Sequence, residues 1–128
     1  MNRTIVTGDI VDRGPASLDV LDKFRHASNG RSLKGNHERK HVRSCRGEIR
    51  PGDSQRFARR KMGEEVYLDA VGFMVSLPHY RDLPEAFPVH GFYELGVSLE
   101  EQRRTVLVGT LSGEHYLEKH YSSQWYEL

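Results

Sequence analysis

Ile5 and Val6 are apolar residues set between polar ones, so Thr4 to Thr7 reads as a short strand that Gly8 and Asp9 carry out of a sheet. A turn follows from Ile10 to Pro15. From Ala16 to about His26, Leu18, Leu21 and Phe24 recur three apart and draw one apolar stripe on a helix, which Asn29 and Gly30 end. Arg31 to Lys34 is a second short strand, broken by Gly35, Asn36, His37 and Glu38. This is a strand, helix, strand unit. Such units close with parallel strands, so Asp9 and Asn36 should leave the sheet at one carboxyl edge, where open α/β sheets bind ligands.

Further along, Ser54 to about Ala70 reads as a helix and Gly72 to Leu77 as a strand. Ala86 to Val89 is apolar apart from its proline and ends at His90 and Gly91, repeating the strand-then-polar-turn signature. Leu99 to Val108 and Glu114 to Tyr121 read as helices. No internal repeat and no low-complexity linker interrupts the chain, and 128 residues match one domain spanning 1–128.

Three loops carry candidate chemistry. Gly8 to Gly14 sets two carboxylates, Asp9 and Asp12, and the guanidinium of Arg13 on one tight turn. Gly35 to Glu38 places an amide oxygen, Asn36, beside an imidazole, His37, a pairing suited to a hard or borderline cation and a proton donor. Val89 to Gly91 adds His90. Each loop alone is compatible with ordinary turn chemistry. Their arrival at one sheet edge points instead to a shared site.

Read in order, GDIVDRG, KGNHE and VHG resemble the phosphoprotein phosphatase branch of the calcineurin-like metallophosphoesterases, over roughly Thr4 to Leu99 and including Ser76 to Pro78. That branch includes bacterial serine/threonine phosphatases and diadenosine tetraphosphate hydrolases. The resemblance implies an α/β sandwich of two sheets flanked by helices, and two divalent ions of manganese, iron or zinc. Asp9 would bridge both ions, and Asn36 and His90 would ligate one of them. Arg13 would grip substrate phosphate. His37, held by Asp12, would protonate the leaving oxygen, and Glu38 would support the loop. A metal-bound hydroxide would attack, with no phosphoenzyme.

The same resemblance implies an Asp-x-His strand upstream and a further Gly-His downstream, and neither occurs in these 128 residues. The expectation is a partial sandwich lacking its first and last strands, with sheet edges open to self-association and little turnover from the chain as given. His115 and His120 stand in helix-like sequence and read as surface residues.

Charge and composition change this picture only slightly. A net charge of +1 does not mark a polyanion binder. Residues 31 to 61, however, hold eleven Lys and Arg against three Asp and Glu, so a nucleic-acid-binding module is an alternative reading. Only Phe57 interleaves an aromatic ring there, which favours a solvated helix face. A catalytically inactive scaffold is the other alternative. The substrate expected is a phosphate ester, on a phosphoprotein or a nucleotide. One cysteine, Cys45, excludes an internal disulfide, and no apolar run reaches membrane length, so the expected location is the cytoplasm.

Overall fold

The computed structural model describes residues 3–121. Strand β1 (Thr4–Val6) pairs in parallel with β2 (Gly30–Ser32), Thr4 opposite Gly30 and Val6 opposite Ser32, and helix α1 (Ser17–His26) joins them. The pairing runs one residue past β2, because Leu33 N–H donates to the Val6 carbonyl at 2.8 Å. Both strands therefore deliver their following loops, residues 7–14 and 34–38, to one end. The architecture is mixed α/β, and the described residues hold this one two-stranded sheet where two sheets were expected.

Helices α2 (Asn36–Cys45), α3 (Asp53–Met62) and α4 (Glu64–Ser76) pack on the unit. The helix expected from Ser54 to Ala70 is two helices. Gly63, at φ 84°, ends α3 in a left-handed conformation that favours glycine and starts α4 in a new direction. The strand expected at Gly72 to Leu77 is the second half of α4. Phe73 and Val75 look strand-like locally, but Tyr67, Ala70, Val71 and Met74 are buried at helical spacing, and that stripe runs unbroken into the segment. With Ile10, Val11, Leu21 and Val42 these residues make the core, each large apolar side chain worth ~1.5–3 kcal/mol of burial.

The strand expected at Ala86 to Val89 is an irregular hairpin instead. Isolated bridges pair Leu83 with Ala86 and Tyr80 with Val89, while Pro84 and Pro88 lack the N–H groups that a regular ladder needs. The helix expected from Leu99 to Val108 is a 3-10 turn at Leu99–Glu101 followed by one helical turn, α5 (Arg104–Leu107). Between them the Gln102 side chain turns inward, accepting from Glu94 N–H at 2.8 Å and donating to the Glu94 and Val97 carbonyls at 2.7 and 2.9 Å. Those bonds hold the loop after His90 and interrupt the helix. Helix α6 (Leu111–Tyr121) closes the described chain, buries Leu117, and includes the expected segment 114–121. Among the described residues, no helix is long and apolar enough to cross a membrane.

Lys34, just past β2, feels the positive charges of Arg46, Arg104 and Arg39. Lys34 is buried and donates its Nζ to the Val75 carbonyl at 3.1 Å, in the last turn of α4 where a cation is favoured. Nearby His79 is pushed down to about 4, by burial first and then by Lys34, Arg104 and Arg39. An unfolded chain binds this proton below about 6.5, whereas the folded one resists it until about 4, so lowering pH through that window favours unfolding. The urea midpoint should fall between those pH values, and His79→Leu should flatten the slope there. An unchanged slope in the variant would assign the pH dependence to other groups.

Candidate metal and phosphate site

Glu38 builds the floor of the site. Its side chain is fully buried on α2, and each carboxylate oxygen accepts two backbone N–H bonds. Oε1 takes Ile10 and Val11 at 2.8 and 3.2 Å, and Oε2 takes Asp9 and Gly35 at 2.9 and 2.8 Å. The bond to Gly35 is half of a capping box at the start of α2. One carboxylate thus ties the loop after β1 to the loop after β2. Gly35 allows their close approach, since a Cβ there would fall 2.6 Å from the Asp9 nitrogen.

Across this floor the backbone is strained where the polar side chains project. Asp9, Asp12 and Arg13 adopt φ of 55°, 72° and 58°, a left-handed region uncommon for residues other than glycine. Such conformations cost of order 1–3 kcal/mol each and cluster at functional sites.

Asp9, Asn36 and His90, expected at one edge, come together. His90 Nε2 lies 3.3 Å from Asp9 Oδ2 and 3.0 Å from Asn36 Oδ1, and its Nδ1 is 2.7 Å from the Thr7 carbonyl. The Thr7 bond requires a proton on Nδ1, which in the neutral ring leaves Nε2 as a lone pair aimed at the other two residues. As placed, Asn36 turns its oxygen toward acceptors. Three acceptor groups facing one another are a donor set that a cation satisfies and hydrogen bonds do not. Turning the amide over brings Nδ2 to 3.1 and 3.2 Å from the Asp9 oxygens and 3.0 Å from His90 Nε2, an arrangement that satisfies the same groups without a cation. Among the described residues no three His, Cys, Asp or Glu side chains gather as a metal-holding group. The residues therefore fit part of one ion's shell, with two charge-neutral ligands and one carboxylate.

Beside this trio, His37 belongs to a second network. Its backbone N–H donates to Asp9 Oδ1 at 3.2 Å, while its ring Nδ1 lies 2.8 Å from Asp12 Oδ2. The other Asp12 oxygen lies 2.8 Å from Nε2 of His41, and His41 Nδ1 is 2.9 Å from the Tyr67 hydroxyl. Burial raises the Asp12 pKa, but hydrogen bonds from His41 and His37, with their charges, outweigh it and hold the carboxyl below its usual range. Tyr67 is pushed up to about 12, chiefly by burial, and stays a hydroxyl donor. The chain is satisfied when Tyr67 donates to His41, His41 donates to Asp12, and His37 donates its Nδ1–H to Asp12. His37 Nε2 is then the atom left to exchange a proton.

Sequence reasoning missed His41. Its signal was available, because Glu38, His41, Val42 and Cys45 fall on one helical stripe of α2, and two polar members of an inward stripe ask for partners. Arg13 is exposed, and among the described residues its guanidinium has no hydrogen-bond partner, leaving its fork open to an anion. His115 and His120 are exposed on α6, with His120 bonded to the Tyr116 carbonyl, apart from the trio. Much of the basic stretch from 31 to 61 lies on helix surfaces, where Arg43 pairs with Glu48, Arg56 with Asp53, and Arg59 with Glu64.

A family model described as calcineurin-like phosphoesterase matches residues 3–124. No curated protein and no solved structure matches the chain.

Proposed function

The chain belongs to the calcineurin-like phosphoesterase family, and from this premise we propose that it hydrolyses a phosphate ester, on a phosphoprotein or a nucleotide, with Asp9, Asn36 and His90 holding a divalent cation. The observation that carries the reading is the convergence of the Asp9 carboxylate, the Asn36 amide and the His90 ring within about 3.3 Å of one another, with Asp9 also bonded to the backbone of His37. Metal dependence is general in the family. Manganese, iron or zinc each suits an imidazole, an amide oxygen and a carboxylate.

The bound cation would supply Lewis-acid polarisation and charge neutralisation at the phosphate. The chain's own residues do the rest. Arg13 spans two phosphate oxygens with its planar fork and offsets their negative charge. Asp12 fixes the His37 ring by holding Nδ1–H, so that Nε2 presents its proton to the departing alkoxide. His41 and Tyr67 keep Asp12 oriented and prevent its carboxylate from rotating away.

The test is to supply Mn²⁺ and an aryl phosphate and to measure metal content alongside hydrolysis. Chelation should abolish turnover, and Asp9→Asn should lose both bound metal and activity, because it removes the only charge in the trio. Hydrolysis undiminished by chelator would sink the reading.

A further inference from the structure

Between the strained loop and helix α3 lies a cavity of about 310 Å³, walled on one side by residues 12–19 and on the other by Phe57, Ala58, Met62 and Val66. Asp12 and Arg13 stand in its wall, so it opens beside the groups assigned to phosphate and proton transfer. Resting on that assignment, we propose that this cavity receives a single planar aromatic group carried by the phosphate ester, with Phe57 as the residue that selects it.

Four observations support the occupant. Phe57 is 63% exposed, a large apolar ring left in water at the edge of the cavity, and Val66 beside it is 42% exposed. Although charged and hydroxyl side chains also line it, Leu18, Phe57, Met62 and Val66 give the cavity an apolar share of wall against which a ring gains more from entering than a hydrated group does. Lys61 closes one side: its Nζ donates to the Pro15 carbonyl at 2.9 Å, tying α3 to the loop, and sits 5.8 Å from the Phe57 ring centre. A second ring stacked on Phe57 would lie within the same cationic environment as Lys61 and the planar guanidinium of Arg13. Size sets the limit, since 310 Å³ is at the low end of ligand pockets, about 300–1,000 Å³. It has room for one ring system and not for two nucleosides. Asp19 also lines the cavity, and Asp12 has both oxygens engaged by histidines, so the anion is received at Arg13 and the ring beyond it.

Nuclear magnetic resonance titration of the chain with phenyl phosphate, O-phosphoserine, inorganic phosphate and benzyl alcohol tests this. Phenyl phosphate should bind about 10-fold tighter than phosphoserine, in line with the worth of one stacked ring, and shift the signals of Phe57, Ala58, Met62 and Val66. Phe57→Ala should bring the ratio to about one, with thermal unfolding confirming that the variant folds. Equal affinities in the wild type, or a preference that survives Phe57→Ala, would overturn the proposal. Arg13→Ala separates it from the reading it rests on. If that variant keeps its affinity for all three phosphates, the phosphate role of Arg13 fails, while benzyl alcohol still reports on the cavity. Shifts at Met62 and Val66 with benzyl alcohol would support the ring site, and their absence would count against it.

Discussion

His37→Asn is expected to lower turnover of the metal-loaded protein by ~100- to 10,000-fold, the usual worth of a positioned general acid, while metal content stays near the wild-type value. The geometry separates the two roles. His37 turns Nδ1 to Asp12 at 2.8 Å and touches Asp9 only through its backbone N–H, which asparagine retains. His90, by contrast, faces Asp9 and Asn36 with a ring nitrogen and has its other nitrogen on a carbonyl. His90→Asn should therefore lower metal content, and turnover with it. Metal assay by atomic absorption beside an aryl phosphate assay distinguishes them. Equal metal loss in the His37 and His90 variants would make His37 a ligand and remove the proton donor from the mechanism.

How far the sequence foretold this arrangement depends on how local the deciding physics is. The loops at Gly8–Gly14 and Gly35–Glu38 were legible because glycines and short polar side chains interrupt apolar runs in a few residues, and the parallel β1–β2 pairing follows from the helix between them. Helix α1 was legible from Leu18, Leu21 and Phe24. The second half of α4 was not, since Gly72 to Leu77 taken alone has the residues of a strand, and only the burial register starting at Tyr67 makes it helix. Pro84 and Pro88 argue against a regular strand before His90, but the Leu83–Ala86 and Tyr80–Val89 bridges that shape the hairpin leave no mark in local pattern.

At the site, the meeting of Asp9, Asn36 and His90 was expected from three loops at one edge, although His90 arrives from an irregular hairpin and not from a strand of the sheet. The support beneath them was less legible. The loop role expected for Glu38 gave no hint that four N–H groups converge on it, and His41 was passed over. Apart from the local Gly35–Glu38 bond, both act on this loop through tertiary bonds between residues 27 to 29 apart in sequence, for which local pattern holds no signal beyond an inward polar position.

Glu38→Gln is expected to destabilise the fold by about 3 kcal/mol or more, the largest stability effect of any conservative substitution in the site. A carboxylate accepts at both oxygens, and each Glu38 oxygen takes two backbone N–H groups. Glutamine keeps the shape but replaces one oxygen with an NH₂ group. Whichever way the amide turns, two N–H donors then face a donor. Each buried N–H left unsatisfied costs ~1–3 kcal/mol, and the fully buried side chain leaves no ready route for water to replace the bond. The same bonds hold Asp9 at φ 55°, and through the loop they restrain Asp12 and Arg13, so their loss should also let the strained segment relax. With a domain stability of roughly 5–15 kcal/mol, such a cost leaves little in reserve. The urea midpoint should drop by about 1–3 M at a slope of ~1–3 kcal/mol/M, and amide exchange at Ile10 and Val11 should accelerate before the rest of the core opens. A midpoint within about 0.3 M of wild type, with unchanged exchange at those two amides, would mean that the loop is held by something other than this carboxylate.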